Sequence, residues 1–312
     1  MSAKSALPLA ALLLGACQTA PASTAGPVPT PPSTTAVTDA EAPPASQWAE
    51  ACTDFDEWDK AGPPYRIYGN TYYVGTCGIA AILVTGADGH ILIDGGSRGG
   101  APLIAANIEK LGLRLSDVKI LLHSHEHFDH VGGLAGLQRM TGARLLASEA
   151  AGPVLASGEA AADDPQAGMH DPFAAARVDG TVTPGEPVTL GALTLTPIAT
   201  PGHTAGALSW TWMSCEGGPA SVDCRAMVYA DSLSPVSADD YRFSDHPQWV
   251  TAYHASLDRL RETRCDILMT PHPSASGMRA RIAGATPMTC AQYADSIHEK
   301  LDERLKKERS AS

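Results

Sequence analysis

The stretch "HSHEHFDHVGG", residues 123–133, puts four histidines, two acids and two glycines into eleven positions. It follows "VKILL", which reads as a buried strand, so the cluster sits where a strand ends and the chain turns. Loops at the ends of rigid strands are where chemistry is commonly placed. His125, His127, Asp129 and His130 spell H-x-H-x-D-H. Borderline metals such as zinc take imidazole and carboxylate together. A two-residue spacing can set His125 and His127 around one ion, while Asp129 and His130 turn toward a second. Gly132 and Gly133 let the backbone pass close and begin a helix. The competing reading is a polar loop whose histidines only form hydrogen bonds. Three histidines and an aspartate within six residues, just after an apolar strand, argue against it.

Two ions need more ligands than four. His203 lies in "TPGHTAG", after the strand-like "LTLTPIAT"; alone it reads equally well as a ligand or a turn histidine. His272 lies in "TPHPSASG", after "CDILMT". A histidine just past a β run, three times over, is the residue-level argument that the ligands converge. His123 and Glu126 read as neighbours or exposed groups rather than ligands, and His90, His170, His246, His254 and His298 as surface histidines.

The surrounding chain alternates strands and helices. "YRIYGNTYYVG" reads as a hairpin turning at Gly69-Asn70, and residues 79–85 and 90–94 as strands joined by Ala87-Asp88-Gly89. Leu103, Ile104, Ile108 and Leu111 have helical period, and Leu134, Leu137 and Met140 suggest another helix. Residues 152–180, rich in Gly, Ala, Asp and Pro, read as a long surface excursion. "GALSWTWMS" and "AMVYADSL" are strands, residues 250–264 a helix, and Tyr293, Ile297, Leu301 and Leu305 form one stripe of a last helix. Strands followed by helices, twice over, predict two sheets packed face to face with helices outside.

The chain has 312 residues, seven cysteines and a formal charge of −12. That charge speaks against a nucleic-acid partner, which needs a basic footprint. Residues 1–17 read as an export signal: Leu7 starts an apolar run too short to span a bilayer, and "LLGAC" resembles a bacterial lipoprotein boundary that leaves Cys17 lipidated. An ordinary secretory signal is the alternative. Residues 18–47, mostly Ala, Pro, Ser, Thr and Gly, read as a tether, and residues 48–312 as a single large domain. Without Cys17, six cysteines remain, enough for three disulfides in an oxidising compartment, with fifteen pairings open. Cys215 and Cys224 bracket a polar loop and are natural partners.

Taken together, "YRIYGNTYYVGTCGIAAILVT", "HILIDGG", "HSHEHFDHVGG", "PGHTAG", "YADSLS", "CDILMTPHPSASG" and "CAQYAD" resemble the metallo-β-lactamase superfamily, and closely its subclass B3. The resemblance covers roughly residues 48–308. It implies an α/β (α+β) four-layer αββα sandwich with two zinc ions at one edge between the sheets. His125, His127 and His203 match the ligands of the first ion, and Asp129, His130 and His272 those of the second. Ser232 matches a serine that hydrogen-bonds near the second zinc, and Ser234 a contact to the substrate carboxylate. The implied disulfides are Cys52–Cys77, Cys215–Cys224 and Cys265–Cys290. Asp231 is implied to be a structural neighbour; bridging the two metals instead, it would favour a thioesterase or lactonase.

The implied activity is opening of penicillins, cephalosporins and carbapenems by a zinc-held hydroxide, with Asp129 orienting it or handling a proton. The small β-lactam is then the partner, the chain a monomer, and the membrane is met only through the N-terminal lipid. Rival readings are another di-zinc hydrolase of the superfamily and a non-enzymatic zinc-binding surface lipoprotein. Structural zinc sites favour four protein ligands and cysteine, and here the cysteines lie away from the histidines. The expected location is the periplasm, anchored to the outer membrane through Cys17, since Gln18 is not the aspartate of an inner-membrane retention signal. Mass spectrometry of the mature N-terminus is expected to show a lipidated Cys17; a free N-terminus beyond it would refute the anchor.

Overall fold

The computed structural model describes residues 42–217 and 221–310, together with residue 1. The signal segment, Cys17 and most of the tether lie outside the described residues. All the elements below belong to one unit, Thr34–Ser312. The first sheet has seven strands in chain order: β1 (Tyr65–Tyr68), β2 (Thr71–Tyr73), β3 (Ile82–Val84), β4 (His90–Ile93), β5 (Val118–Leu122), β6 (Arg144–Ser148) and β7 (Val178–Val182). It is antiparallel from β1 to β4 and parallel from β4 to β7. The second comprises β8 (Val188–Leu190), β9 (Leu193–Ala199), β10 (Leu208–Cys215), β11 (Cys224–Tyr229) and β12 (Ile267–Met269), in the order β12-β11-β10-β9-β8.

Side-chain alternation along the strands explains the layering. Successive residues of a strand point to opposite faces. In β4, Ile91 and Ile93 join the core between the sheets, with Trp210, Met227 and Tyr229 from the second sheet. Leu92 points the other way, into a core with Ile104 and Ile108 of α2 (Gly100–Lys110) and Leu137 of α4 (Leu134–Thr141). In β11, Met227 and Tyr229 face inward. Val228 faces α6 (Pro247–Glu262) and, past the short α7 (Met278–Ile282), α8 (Cys290–Ser310). The central strands β3, β4 and β11 are therefore buried on both faces, as their apolar runs require, while β8 and β9 leave Thr189 and Thr194 exposed; the result is the expected αββα sandwich. The expected stripe Tyr293, Ile297, Leu301 and Leu305 is buried against Tyr253, Leu257 and Leu260 of α6.

Three details differ from the sequence reading. A helix, α1 (Ala45–Ala51), begins ahead of the Trp48 boundary, because Ala45 and Ala49 pack with buried Trp48 on the inter-sheet core. The 152–180 segment is not wholly a surface excursion. It opens within a helix, α5 (Ala151–Ser157), ends in β7, and buries Asp164 and Gln166 between them. His90, read as a surface residue, is buried, its Nδ1 accepting from Gly86 N at 3.4 Å.

The disulfides are Cys52–Cys77, Cys215–Cys224 and Cys265–Cys290. The first ties α1 to the loop after β2, the second joins β10 to β11, and the third links the chain after α6 to the start of α8. Among the described residues no helix is long and apolar enough to cross a membrane. Leu301 is fully buried in the α6–α8 core. Leu301→Ala is expected to cost about 2–5 kcal/mol of stability, read as a lower denaturation midpoint; an unchanged midpoint would contradict this packing.

Candidate metal centre

The histidine loop leaves β5 and is pinned from both sheets. Asp94, just past the parallel neighbour β4, accepts from Ser124 N at 2.6 Å, Ser124 Oγ at 2.8 Å and the Tyr229 hydroxyl at 2.7 Å. It does so from a left-handed backbone, φ 68°. Burial pushes the Asp94 carboxyl up to about 6. From the second sheet, Leu208 N donates to Ser124 O at 2.6 Å and Trp210 Nε1 to His123 O at 2.9 Å. The loop then runs into α3 (Phe128–Val131). A Cβ on Gly133 would stand 2.1 Å from Gly95 O, so the close passage expected of the glycine pair is real.

Glu126 and His123 now have definite roles. The buried Glu126 carboxylate accepts from Thr204 Oγ1 at 2.7 Å and Gly206 N at 2.8 Å. It thereby fastens the "PGHTAG" loop to the histidine loop and sets His203 beside His127. Burial pushes its carboxyl up to about 6. His123 is buried on the far side of the strand end, where its Nε2 accepts from Ser148 N at 3.1 Å.

The partners on the outer side of each ring decide which nitrogen faces inward. His125 Nδ1 donates to Asp231 Oδ1 at 2.7 Å, leaving Nε2 buried without a hydrogen-bond partner. His127 Nε2 donates to the Asp164 carboxylate at 3.1 and 3.2 Å, leaving Nδ1. His203 Nδ1 donates to Ser234 O at 2.7 Å, leaving Nε2, which lies 3.1 Å from His127 Nδ1. These three residues each bring a ligand atom within 4.8 Å of the others. Burial, then the neighbouring imidazoles His130 and His127, hold His125 well below the usual imidazole range. Burial and then His125 and His127 do the same to His203. Both rings are therefore neutral with a lone pair turned inward, the form that binds metal.

Beside them, His130 Nε2 lies 3.0 Å from Asp129 Oδ2, His272 Nε2 3.4 Å from the same oxygen, and the two nitrogens 3.3 Å apart. Three donor atoms at such mutual distances match the edges of a coordination tetrahedron with bonds of about 2 Å. His125 also falls within 4.8 Å of Asp129 and His130, so the two groups adjoin. An orphaned buried nitrogen, two rings held below the usual imidazole range and facing donors are what a metal centre needs, and the residues fit zinc chemistry.

The six expected ligands are thus brought together. Ser232 is buried, with its Oγ lacking a hydrogen-bond partner. Ser234 reaches the site through its backbone carbonyl, which holds His203. Asp231 stands behind His125, its second oxygen accepting from Leu233 N at 3.4 Å. Sequence reasoning missed Asp164, whose only local signal is an acidic turn in a Gly- and Ala-rich segment. It also missed Trp58, whose ring stands 5.3 Å from Phe128 and 6.4 Å from His272 and forms an aromatic wall beside the centre.

Glu126→Ala would strand the Gly206 N–H and Thr204 hydroxyl in a buried place. We expect it to lower stability by about 1–3 kcal/mol, measured by denaturant unfolding, and to weaken metal affinity because His203 is no longer fixed. An unchanged unfolding midpoint would contradict that role.

The metallo-β-lactamase superfamily pattern matches residues 74–215. The MIM-2 metallo-β-lactamase structure is 54% identical, covers 86% of this chain and 99% of its own, and superposes with a TM-score of 0.80. MEM-A1, a subclass B3 metallo-β-lactamase isolated from a soil metagenome library, is 40% identical, covering 82% of this chain and 100% of its own at a TM-score of 0.77. A hydroxyacylglutathione hydrolase of Rhodopseudomonas palustris (strain BisB5) is 32% identical over 163 residues, 52% of this chain and 49% of that protein. The chain spans about half the length of this curated relative, and less of the next. The histidine loop, its layered frame and these likenesses agree, and the chain belongs to the metallo-β-lactamase superfamily.

Proposed function

We propose that this protein is a di-zinc β-lactamase of the subclass B3 type, opening penicillins, cephalosporins and carbapenems. The observation that carries the reading is the donor set: six side chains in two adjoining groups of three, with the outer ring nitrogens of His125, His127 and His203 committed to Asp231, Asp164 and Ser234 O. His125, His127 and His203 would hold one zinc, and Asp129, His130 and His272 the other. When bound, zinc supplies Lewis acidity, polarising the amide carbonyl and lowering the pKa of water toward about 7.

The chain's own groups do the rest. Asp231, Asp164 and the Ser234 carbonyl fix ring orientation and tautomer, as carboxylates and carbonyls behind metal-ligating histidines commonly do. Asp129 gathers His130 and His272 at one oxygen and is placed to orient the attacking water. The unpartnered Ser232 hydroxyl and the Ser234 side chain are the groups we assign to the substrate carboxylate. Trp58 and Phe128 offer an apolar wall to the rest of the drug. Ser124 is not a nucleophile in this scheme, since its hydroxyl is spent on Asp94. The exported location read from residues 1–17 belongs to the same proposal.

The second reading, a thioesterase, is favoured by the names of the curated relatives. Asp231 argues against it, because both its oxygens are engaged behind His125 and at Leu233 N instead of lying between two ligand groups. Steady-state kinetics on one drug of each class and on an acyl-glutathione thioester separates the readings. We expect turnover of all three drugs, lost on chelation and restored by zinc, with no inhibition by clavulanate. His203→Ala should lower kcat/KM by more than about 100-fold, beyond the loss typical of groups behind the ligands. Fast thioester hydrolysis with no carbapenem turnover would overturn the assignment.

A further inference from the structure

The helices α6 and α8 carry a second histidine cluster on the outside of the second sheet. His254 Nδ1 lies 3.1 Å from His298 Nε2, and the ring centroids are 4.5 Å apart. One turn along α8, Asp302 Oδ2 lies 3.3 Å from His298 Nδ1. His254, His298 and Asp302 bring ligand atoms within 4.8 Å of one another. The cluster is not a chance meeting of mobile side chains. Tyr253 and Leu257 of α6 pack with Ile297 and Leu301 of α8 in one buried core, and His254 and His298 ride directly on that seam.

The proton positions follow from the acceptors. Asp302 Oδ2 is the acceptor beside His298 Nδ1; with the proton placed there, the His298 lone pair is at Nε2 and faces His254. Metal-ligating histidines commonly donate their other N–H to a carboxylate in this way. Burial and then the adjacent His298 hold His254 below its ordinary range, which favours a neutral ring at His254. Two nitrogens bound to one ion at about 2.0–2.1 Å each stand about 3.3 Å apart in a tetrahedron, close to the observed separation. Asp258, one turn past His254, and Asp302 add negative potential at His254. Imidazole with carboxylate suits zinc, nickel or copper better than calcium or magnesium.

We propose that His254 and His298, oriented by Asp302, form a separate surface site for a borderline divalent cation that clamps α6 to α8. It shares no residue with the catalytic centre. The rival is a plain imidazole–imidazole hydrogen bond, which uses the same contact and needs no ion. A cation bound only by the folded state raises stability by mass action, which gives a readout besides catalysis.

The test is equilibrium dialysis of the full chain against zinc with metal analysis, comparing the wild type with the double variant His254→Asn, His298→Asn. The wild type should bind one more equivalent than the variant, and its Tm should rise over a zinc range in which that of the variant is flat, with β-lactam turnover alike in both. Asp302→Asn should weaken the extra equivalent by about 10–100-fold. In a His203→Ala background the one-equivalent difference should persist, which separates this site from the catalytic one. Equal zinc counts, or equal Tm responses, would overturn the clamp and leave the hydrogen bond.

Discussion

An imidazole taken out of water is costly unless its N–H meets an acceptor, and at three rings this requirement organises the metal centre. Rings buried at the edge of the sandwich would be costly without partners. Three of them are given one on the outer side: Asp231 for His125, Asp164 for His127, the Ser234 carbonyl for His203. Because the outer nitrogen is spent, the inner one is left as a lone pair. Three such lone pairs converge where no protein group satisfies them all. A site built this way is stable only if the acceptors themselves are fixed.

The sandwich fixes them. Asp94 and Asp231 stand at the ends of β4 and β11, one in each sheet, and Tyr229 of β11 donates across to Asp94. Tyr293 of α8 donates to the carbonyls of Asp231 and Ser232, so the outer helix layer also holds the segment behind His125. Glu126 then links the two histidine-bearing loops across the edge. The strands that carry the site, β4, β5 and β11, are packed on both faces near their ends, and the ligand positions inherit that rigidity.

Much of this was legible in the sequence. "VKILL" followed by H-x-H-x-D-H announced both a strand and a ligand set, since both are local patterns. The stripe Tyr293 to Leu305 announced its helix for the same reason. Asp164 was not legible, because what makes it matter is a contact with His127 across 37 residues of a segment with no period. Glu126 was visible but not interpretable, its partners lying 78 and 80 residues away. His90 opens β4 just ahead of the apolar run Ile91–Ile93, and only the packing of neighbouring chain around that strand end decides that it is buried. Gaps of this kind are long-range hydrogen bonds between polar groups, which leave no periodicity to read.

The central claim is that the inward nitrogens of His125, His127 and His203, and the Asp129–His130–His272 triangle beside them, are metal ligands. Crystals of the zinc-loaded protein measured on both sides of the zinc absorption edge test it most directly. The account predicts two anomalous peaks in the cleft, one bonded to His125 Nε2, His127 Nδ1 and His203 Nε2, the other to Asp129, His130 and His272. A cleft with no anomalous peak, its rings joined only by hydrogen bonds, would contradict it.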